Sequence, residues 1–292
     1  MLLSISHTTR YGFAQPVSHG LQRLRLRPKS THGQEIIDWT MTLDGAKPEV
    51  SYDDEHNNHV SLVSIEPGAS EVIVQCSGTV RTRDNHGVIG PHVGHMPLWC
   101  FLRPTKLTRA GLKVRALVAS VDEDKTNRLA FLHALSHTIR ETVEYVPGST
   151  DVTTSAEQAL TAGKGVCQDH AHILISAGRL LDIPMRYVGG YLLMDDRIEQ
   201  DAGHGWAEAF VEGLGWIGFD ISNEICPDER YVRVATGCDY REAAPITGIA
   251  VGAGETTLDV HLSVEENRLG QQQQQQGQVQ QQGSGQSQSQ SG

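Results

Sequence analysis

Three short segments contain the side chains whose types and spacing could do chemistry. Cys167 lies in segment 165–169, His204 in segment 203–208, and Asp220 at the end of segment 215–220. A thiol, an imidazole and a carboxylate together make a cysteine nucleophilic near neutral pH, because the imidazole takes the thiol proton and the carboxylate orients the imidazole. The sequence therefore predicts a cysteine that attacks acyl groups.

Cys167 lies at the start of a predicted helix. Apolar residues recur through 173–181 at helical spacing, and Pro184 prevents continuation of the helix. Gly163 and Gly165 permit a tight backbone bend just before it. The positive end of the helix dipole at this position favours the thiolate form of Cys167.

His204 and Asp220 lie on two predicted strands whose spacing depends on the connecting loop. A three-residue hairpin loop at 212–214 sets Trp206 opposite Asp220. Asp220 then lies on the same face as His204, one diagonal step away, within reach of a shared hydrogen bond. A two-residue loop would put the two side chains on opposite faces.

His170 is a rival base, because it follows Cys167 by three residues on nearly the same helix face. A side chain at that spacing runs alongside the helix, whereas a thiolate at the helix end needs a base across a cleft. We therefore favour His204.

Metal binding by histidines is the other alternative. Two groups lie close together in turn-rich sequence: His86, His92 and His95, and His56 and His59. Neither group has an HExxH helix or a cysteine partner. We therefore expect solvent-exposed loop histidines, no metal site and no cofactor.

Bulk composition excludes several classes of protein. The 292 residues are 38% hydrophobic and carry a net charge of −11, with basic residues scattered except at Arg23, Arg25, Arg27 and Lys29. These four alternate with apolar residues and predict the solvated face of a strand, so no nucleic-acid partner is expected. The five cysteines are far apart, which argues against a disulfide framework.

The N-terminus lacks the apolar run of a secretory signal, and no stretch approaches the roughly 20 apolar residues needed to span a bilayer. We expect a cytoplasmic protein that does not associate with membranes.

The chain divides into four predicted parts. Residues 1–80 predict an antiparallel β domain, with strands at 21–26, 35–43, 59–65 and 71–80. Residues 81–125 predict a connector, and 267–292 a disordered Gln-rich tail. The part at 126–266 predicts a core with helices starting near Thr126 or Asn127 and at Ser155, and strands at 185–193, 205–211, 215–221 and 258–264.

Taken together, the three segments resemble the transglutaminase-like superfamily of papain-fold cysteine enzymes, in the bacterial branch that carries its own N-terminal β domain. The cysteine segment resembles the family string Gly-x-Cys-Gln-Asp, and the histidine segment resembles His-Ala-Trp-x-Glu. Segment 218–223 resembles Gly-Phe-Asp-Pro-Thr-Asn, while segments 24–28 and 145–150 resemble flanking parts of the family.

The resemblance implies an α+β fold, with a papain-like core and an N-terminal antiparallel β domain. It makes Cys167 the nucleophile, His204 the base and Asp220 the orienting carboxylate. It implies a thiol amide hydrolase or peptidase that acts on a peptide or protein substrate through a thioester. A transglutaminase and a non-catalytic binding module of the same fold are the alternatives.

Two positions depart from the family strings. Gly205 follows His204 where Ala is usual, and Ile221–Ser222 follow Asp220 where Pro-Thr is usual. Loss of the proline predicts a looser strand end beside Asp220.

Overall fold

The computed structural model describes residues 1–267, so the predicted disordered tail lies outside the described residues except for its first residue. The N-terminal part consists of six strands: Leu2–Phe13 (β1), His19–Arg27 (β2), Gln34–Asp44 (β3), Ala46–Asp53 (β4), His59–Ile65 (β5) and Glu71–Thr82 (β6). The four strands predicted in this region are confirmed, and β1 and β4 are additional.

The remaining elements alternate between helices and strands. The helices are Leu112–Ser120 (α1), Arg128–Thr142 (α2), Ala156–Ala162 (α3), Cys167–Arg179 (α4) and Tyr240–Ala243 (α5), with a 3-10 helix at Leu98–Leu102. The strands are Val88–Gly90 (β7), Glu144–Tyr145 (β8), Lys164–Gly165 (β9), Met185–Leu192 (β10), Glu199–Gln200 (β11), His204–Val211 (β12), Gly215–Phe219 (β13), Tyr231–Gly237 (β14), Ile246–Val251 (β15) and Thr256–Glu266 (β16).

Two antiparallel sheets form a β sandwich. One has the strand order β11-β16-β1-β6-β3 and the other the order β15-β2-β5-β4. Apolar side chains that alternate along the strands, including Leu24, Leu26, Val63, Val72 and Val74, form the core between them. The predicted antiparallel β domain is therefore present.

The last two strands belong to this sandwich, which corrects the prediction that 126–266 forms one core. β16 pairs antiparallel with β1 so that Ile5 faces Val264, and β15 pairs with β2. The alternation in 258–264 correctly predicted a half-buried strand. It could not identify the partner, because a period of two residues describes one strand and not its neighbour.

A second layer carries the helices. Its antiparallel sheet has the order β14-β10-β12-β13-β7, and α4 packs against β10 and β12. Helices α1, α2 and α3 contact α4, and their buried side chains join those of the sheet in one core. Asn127, one of the two predicted candidates, caps α2, and Ser155, predicted as the first residue of a short helix, is the cap of α3.

The predicted connector at 81–125 is integrated into this layer. Its helix α1 buries Val114, Leu117 and Val118 in the core, and its strand β7 pairs with β13. The many turn residues of the segment predicted a connector. Nothing in the sequence indicated these contacts, because they are made with distant parts of the chain. Within residues 1–267, no helix is both long and apolar enough to cross a membrane.

Two buried amide side chains join the sandwich to β14, an edge strand of the helical layer. Gln34 accepts from the Arg233 N–H at 2.8 Å and donates to the Arg233 carbonyl at 2.9 Å. Asn58 makes the same pair of bonds with Thr236, both at 2.8 Å. The two amides therefore satisfy backbone groups that an edge strand would otherwise leave unpaired.

Arg25 supports the same junction and is the exception to the predicted solvated basic face, on which Arg23 and Arg27 are exposed. Its Nε donates to Asp54 Oδ2 at 3.1 Å, and both side chains are buried. Asp54 in turn accepts from the Asn58 N–H at 2.9 Å. Burial of the guanidinium is tolerated because the carboxylate neutralises it.

A buried ion cluster ties together three strands of the helical layer. Glu208 is fully buried, and its carboxylate accepts from Arg186 Nε at 2.5 Å and Arg233 Nε at 2.8 Å. The Arg186 guanidinium also lies 3.8 Å from the centre of the Trp216 ring. The two guanidiniums share one carboxylate, and Arg233 is the partner that reaches solvent, with 21% of its side chain exposed. The cluster therefore holds β10, β12 and β14 in register with its excess positive charge near water.

We expect Asn58→Ala to lower the free energy of unfolding by roughly 2–4 kcal/mol, because it leaves the buried N–H and carbonyl of Thr236 unpaired. Urea unfolding followed by circular dichroism measures the change. Gln75→Ala, which truncates an exposed amide on β6, is the control and should change stability by less than about 0.5 kcal/mol. Equal stabilities of the two variants would show that the amide pair does not support the junction.

Candidate active site

Cys167 is the first residue of α4, and its side chain is half-buried. The carboxylate of Asp169 folds back over the helix start, where it accepts from the Val166 N–H at 2.8 Å and from the Thr150 hydroxyl at 2.6 Å. A Cβ at Gly165 would lie 2.7 Å from the Asp169 Cβ, so the bend requires glycine there. The segment 165–169 therefore builds a fixed helix start that presents the thiol.

His204 begins β12, and the following hairpin has the predicted register. Val211 pairs with Gly215 across a three-residue loop, and Ala207 pairs with Phe219. Asp220 comes directly after β13, and its Oδ2 lies 2.6 Å from His204 Nε2. A carboxylate accepts only, so Nε2 carries the proton and Nδ1 is left to interact with Cys167.

Asp220 is the most constrained member of the site. Its side chain is 1% exposed, and Oδ2 accepts from the Tyr231 hydroxyl at 2.6 Å and from Asn223 Nδ2 at 2.7 Å. Its N–H donates to the Ile225 carbonyl at 2.8 Å. The looser strand end predicted from the missing proline is therefore not observed.

These contacts keep the carboxyl of Asp220 ionised. Burial alone raises its pKa, but the hydrogen bond and charge of His204 lower it, as do the hydrogen bonds from Tyr231 and Asn223. The result is a pKa of Asp220 below the ordinary value, so the carboxylate is available to pair with a cationic imidazole.

His204 is held in its charged form. Burial alone lowers its pKa, but the electrostatic interaction with Cys167 and the hydrogen bond with Asp220 raise the pKa from 6.5 to about 10. The charged His204 ring therefore contributes fully to the stability of the folded protein below its ordinary pKa of 6.5. This contribution is lost as the pH rises through about 10. A cationic ring beside Cys167 favours the thiolate.

His170, the rival base, is engaged elsewhere. Its Nδ1 lies 2.8 Å from the Ser222 hydroxyl and its Nε2 lies 3.0 Å from the Val143 carbonyl. Burial lowers the pKa of this fully buried ring. Both ring nitrogens therefore serve the packing of α4 rather than the thiol.

Several site residues were not identified from the sequence. Tyr145 is 40% exposed and lies beside Cys167. Burial raises the pKa of Tyr145 to about 12, together with its interactions with Cys167 and Asp220. Its segment carried part of the family resemblance, which was the available signal. Asn223 is the last residue of segment 218–223, whose resemblance to the family string was the signal for it. Tyr231 gave no signal, since its function depends on where Asp220 lies.

Gly205, the departure from the family string, is explained by Tyr187. A Cβ at Gly205 would lie 2.0 Å from the Tyr187 hydroxyl, a distance that no real Cβ shows. Gly189, the cross-strand partner of Gly205, has ordinary room, with its nearest atom at 3.6 Å. The buried hydroxyl of Tyr187 therefore occupies the space that an alanine methyl would take.

Cys167 and His204 line a cleft of about 370 Å³ whose other walls come from β10, β14 and α5 of the helical layer and from the β sandwich. Thr9 on β1 and Val260 on β16 belong to its lining, and so does the more exposed Leu258. The cleft is therefore built from both ends of the chain. Its volume suits part of a small ligand or one or two residues of a peptide.

The prediction of solvent-exposed loop histidines is wrong at three positions. His59 begins β5, and His92 is half-buried, where its Nδ1 accepts from Trp216 Nε1 at 3.1 Å. The side chain of His56 is 2% exposed, whereas a solvent-exposed loop histidine was expected. Among residues 1–267, the one group of three potential metal ligands is His56, Cys238 and Glu242. The sequence did not predict this group, because His56 and Cys238 are far apart along the chain.

A cysteine-bearing helix packed against an antiparallel sheet that bears the histidine and carboxylate defines a papain-like α+β fold. Two family models match the chain: the Bacterial transglutaminase-like N-terminal region over residues 3–81 and the Transglutaminase-like superfamily over residues 115–221. The chain therefore belongs to the transglutaminase-like superfamily, in the bacterial branch with an N-terminal β domain.

Two relatives and one solved structure of similar length match most of the chain. An uncharacterized protein of Mycobacterium leprae is 28% identical over 280 residues, which cover 90% of this chain and 98% of the relative. An uncharacterized protein of Mycobacterium tuberculosis is 28% identical over 289 residues, covering 89% and 91%. A Cytophaga hutchinsonii structure described as a "Putative Cysteine Protease" has a TM-score of 0.73 at 23% identity, covering 91% and 90%, and shares the fold.

The site geometry predicts selective alkylation of Cys167. With iodoacetamide near pH 7, Cys167 should label faster than Cys76 and Cys238, because burial raises the pKa of both of those thiols to about 12. Asp220→Asn should slow labelling of Cys167 on the order of tenfold, since the imidazolium loses its stabilising carboxylate. Mass spectrometry of the labelled peptides gives the three rates, and equal rates for Cys167 and Cys238 would contradict the proposed ion pair.

Gly205→Ala should lower the free energy of unfolding by about 1–3 kcal/mol through overpacking and should slow labelling of Cys167 by displacing His204. Adding Tyr187→Phe removes the clashing oxygen and should recover part of both losses, although the ring carbon behind it stays close at 2.8 Å. Gly189→Ala is the matched control. If Gly205→Ala behaved like this control, the space would not be restricted by Tyr187.

Proposed function

We propose that this protein is a cysteine-dependent amide hydrolase or peptidase that acts through Cys167, His204 and Asp220. The observation that carries the proposal is the position of the His204 ring, which is bound to the buried Asp220 on one side and interacts with Cys167 on the other. Each of the three groups faces the one it must act on.

The first step is attack of the Cys167 thiolate on an amide carbonyl carbon. His204, as the imidazolium, has already taken the thiol proton, and Asp220 stabilises its charge. The new carbon–sulfur bond converts the carbonyl oxygen into an oxyanion. Donors must lie close to this oxygen in order to stabilise it.

Two donors are available near Cys167. The backbone N–H of Cys167 is in the first turn of α4, where a helix leaves N–H groups without an intrahelical acceptor. Tyr145 supplies a hydroxyl whose pKa is raised in part by its interaction with Cys167, and the raised pKa keeps that hydroxyl protonated. We assign Tyr145 as the second oxyanion donor.

The tetrahedral intermediate then collapses to a thioester. The carbon–nitrogen bond breaks, and the leaving amine takes the proton from His204. Neutral His204 next removes a proton from water, whose oxygen attacks the thioester carbon. Return of that proton to the thiolate through His204 releases the carboxylic acid and restores Cys167.

The substrate class that fits this chemistry is a peptide or protein amide. Apolar side chains such as Leu258 and Val260 line the cleft beside the thiol, and the exposed Leu258 offers an apolar surface to an incoming chain. No step requires a cofactor. A primary amine in place of water would give transamidation, so the acceptor is the point to test.

A substrate-library screen of wild type against Cys167→Ala tests the proposal. Wild type should release amines from a subset of amides, and Cys167→Ala should release none. A glutamine peptide with a labelled primary amine then separates the two acceptors, with hydrolysis expected to exceed incorporation. Dominant incorporation would identify a transglutaminase, while binding of amides without turnover by either protein would identify a non-catalytic module.

Tyr145→Phe should lower kcat about 100- to 1,000-fold with little change in KM, the loss typical of removing one oxyanion donor. The reason is that the hydroxyl contributes most once the oxyanion has formed. Tyr52→Phe, at an exposed position on β4, is the control and should leave both constants unchanged. An unchanged kcat in Tyr145→Phe would remove Tyr145 from the mechanism.

A further inference from the structure

A second cluster of reactive side chains lies where the sandwich meets the helical layer. His56 comes from the loop between β4 and β5, Cys238 from the residue after β14, and Glu242 from α5. One donor atom from each side chain lies within 4.8 Å of the other two. None of the three belongs to the Cys167 site.

The donor types favour a particular metal. Imidazole nitrogen, thiolate sulfur and carboxylate oxygen are the three ligand types that proteins use for Zn²⁺. Sulfur disfavours Mg²⁺ and Ca²⁺, which select oxygen ligands. The combination of His56, Cys238 and Glu242 therefore fits zinc or a chemically similar transition metal.

The three donors are already held close to one another by hydrogen bonds. His56 Nε2 lies 2.8 Å from Glu242 Oε2, which also accepts from the Cys238 N–H at 2.7 Å. The His56 N–H donates to Asp54 Oδ1 at 3.1 Å, and its ring packs edge-on against Phe101. Little reorganisation is needed to exchange the histidine–carboxylate contact for two bonds to one ion.

His56 is also short of one polar partner. Its Nδ1 is buried and has no hydrogen-bond partner, although a buried ring nitrogen ordinarily has one. The protein contacts alone therefore leave the polar groups of this ring incompletely satisfied. Only Nε2 makes a hydrogen bond, so either ring nitrogen can bind the metal ion after a rotation of the ring.

The charges around the cluster balance a divalent cation. Arg179 donates to the Cys238 carbonyl at 2.8 Å, and it interacts electrostatically with Cys238, Asp239 and Glu242. With Cys238 ionised, these three negative groups match the Arg179 cation and a divalent ion. Binding transfers the Cys238 proton to solvent as the sulfur–metal bond forms.

The cluster is accessible from solvent on one side. The Glu242 side chain is 43% exposed, whereas the His56 side chain is 2% exposed. An ion can enter past Glu242, and water can complete a tetrahedral set as the fourth ligand.

We propose that His56, Cys238 and Glu242 form a Zn²⁺ site that fastens the loop of the β sandwich to α5. The same loop carries Asn58, whose amide satisfies the edge of β14. A bound ion would therefore reinforce the junction between the sandwich and the helical layer.

Titration of the full chain with Co²⁺ tests this site. Cys167→Ala serves as the parent protein, because the thiol and imidazole of the candidate active site could also bind the ion. One equivalent of Co²⁺ should produce a sulfur-to-cobalt charge-transfer band and the visible bands of a tetrahedral centre, and Zn²⁺ should displace it. Absence of the charge-transfer band would overturn the proposal.

Ligand variants made in the same parent locate the binding. Cys238→Ser should abolish the charge-transfer band, and His56→Gln should weaken binding at least about 10- to 100-fold, a loss already seen when outer partners of metal ligands are removed. Cys100→Ser is the matched control, since the Cys238 thiol contacts the Cys100 carbonyl and not its sulfur. Unchanged binding in both ligand variants would place the metal elsewhere and overturn the site.

Thermal unfolding gives a readout that is independent of colour. Zn²⁺ should raise the midpoint of the parent and of Cys100→Ser, because a ligand that binds only the folded state stabilises it. It should leave the midpoint of His56→Gln nearly unchanged. An equal increase in His56→Gln and in the parent would show that His56 and Glu242 form an ion pair alone.

Discussion

The candidate active site depends on one buried carboxylate. Asp220 Oδ2 accepts from His204, Tyr231 and Asn223, all within 2.7 Å. A carboxylate removed from water is stable only if such donors replace its hydration. These donors keep Asp220 ionised, and the ionised form fixes both the orientation and the charge of His204.

This constraint connects the site to the whole molecule. Tyr231 begins β14, an edge strand whose backbone at Arg233 and Thr236 is bonded by the amides of Gln34 and Asn58. Those amides come from the β sandwich, so the sandwich supports the strand that supports Asp220. The N-terminal β domain therefore helps to hold the site as well as to line its cleft.

The environments of three of the five cysteines separate them by chemistry. Cys76 lies in the core of the sandwich, where burial raises the pKa of its thiol to about 12. Cys238 has a similarly raised pKa but lies beside His56 and Glu242, which suits a metal ligand. Cys167 alone among the three lies at a helix start beside a cationic imidazole, which suits a nucleophile.

The sequence by itself determined the local features: the start of α4 at Cys167, the starts of α2 and α3 to within a residue or two, and a choice of two hairpin registers, one of which brings His204 to Asp220. Each follows from helical periodicity, capping chemistry or loop length, which act over a few residues. Only the tertiary structure decided that β16 joins β1, that Tyr231 and Asn223 hold Asp220, and that His56 meets Cys238 and Glu242. These contacts join residues that are separated by loops or by most of the chain, and they depend on packing that no local pattern encodes.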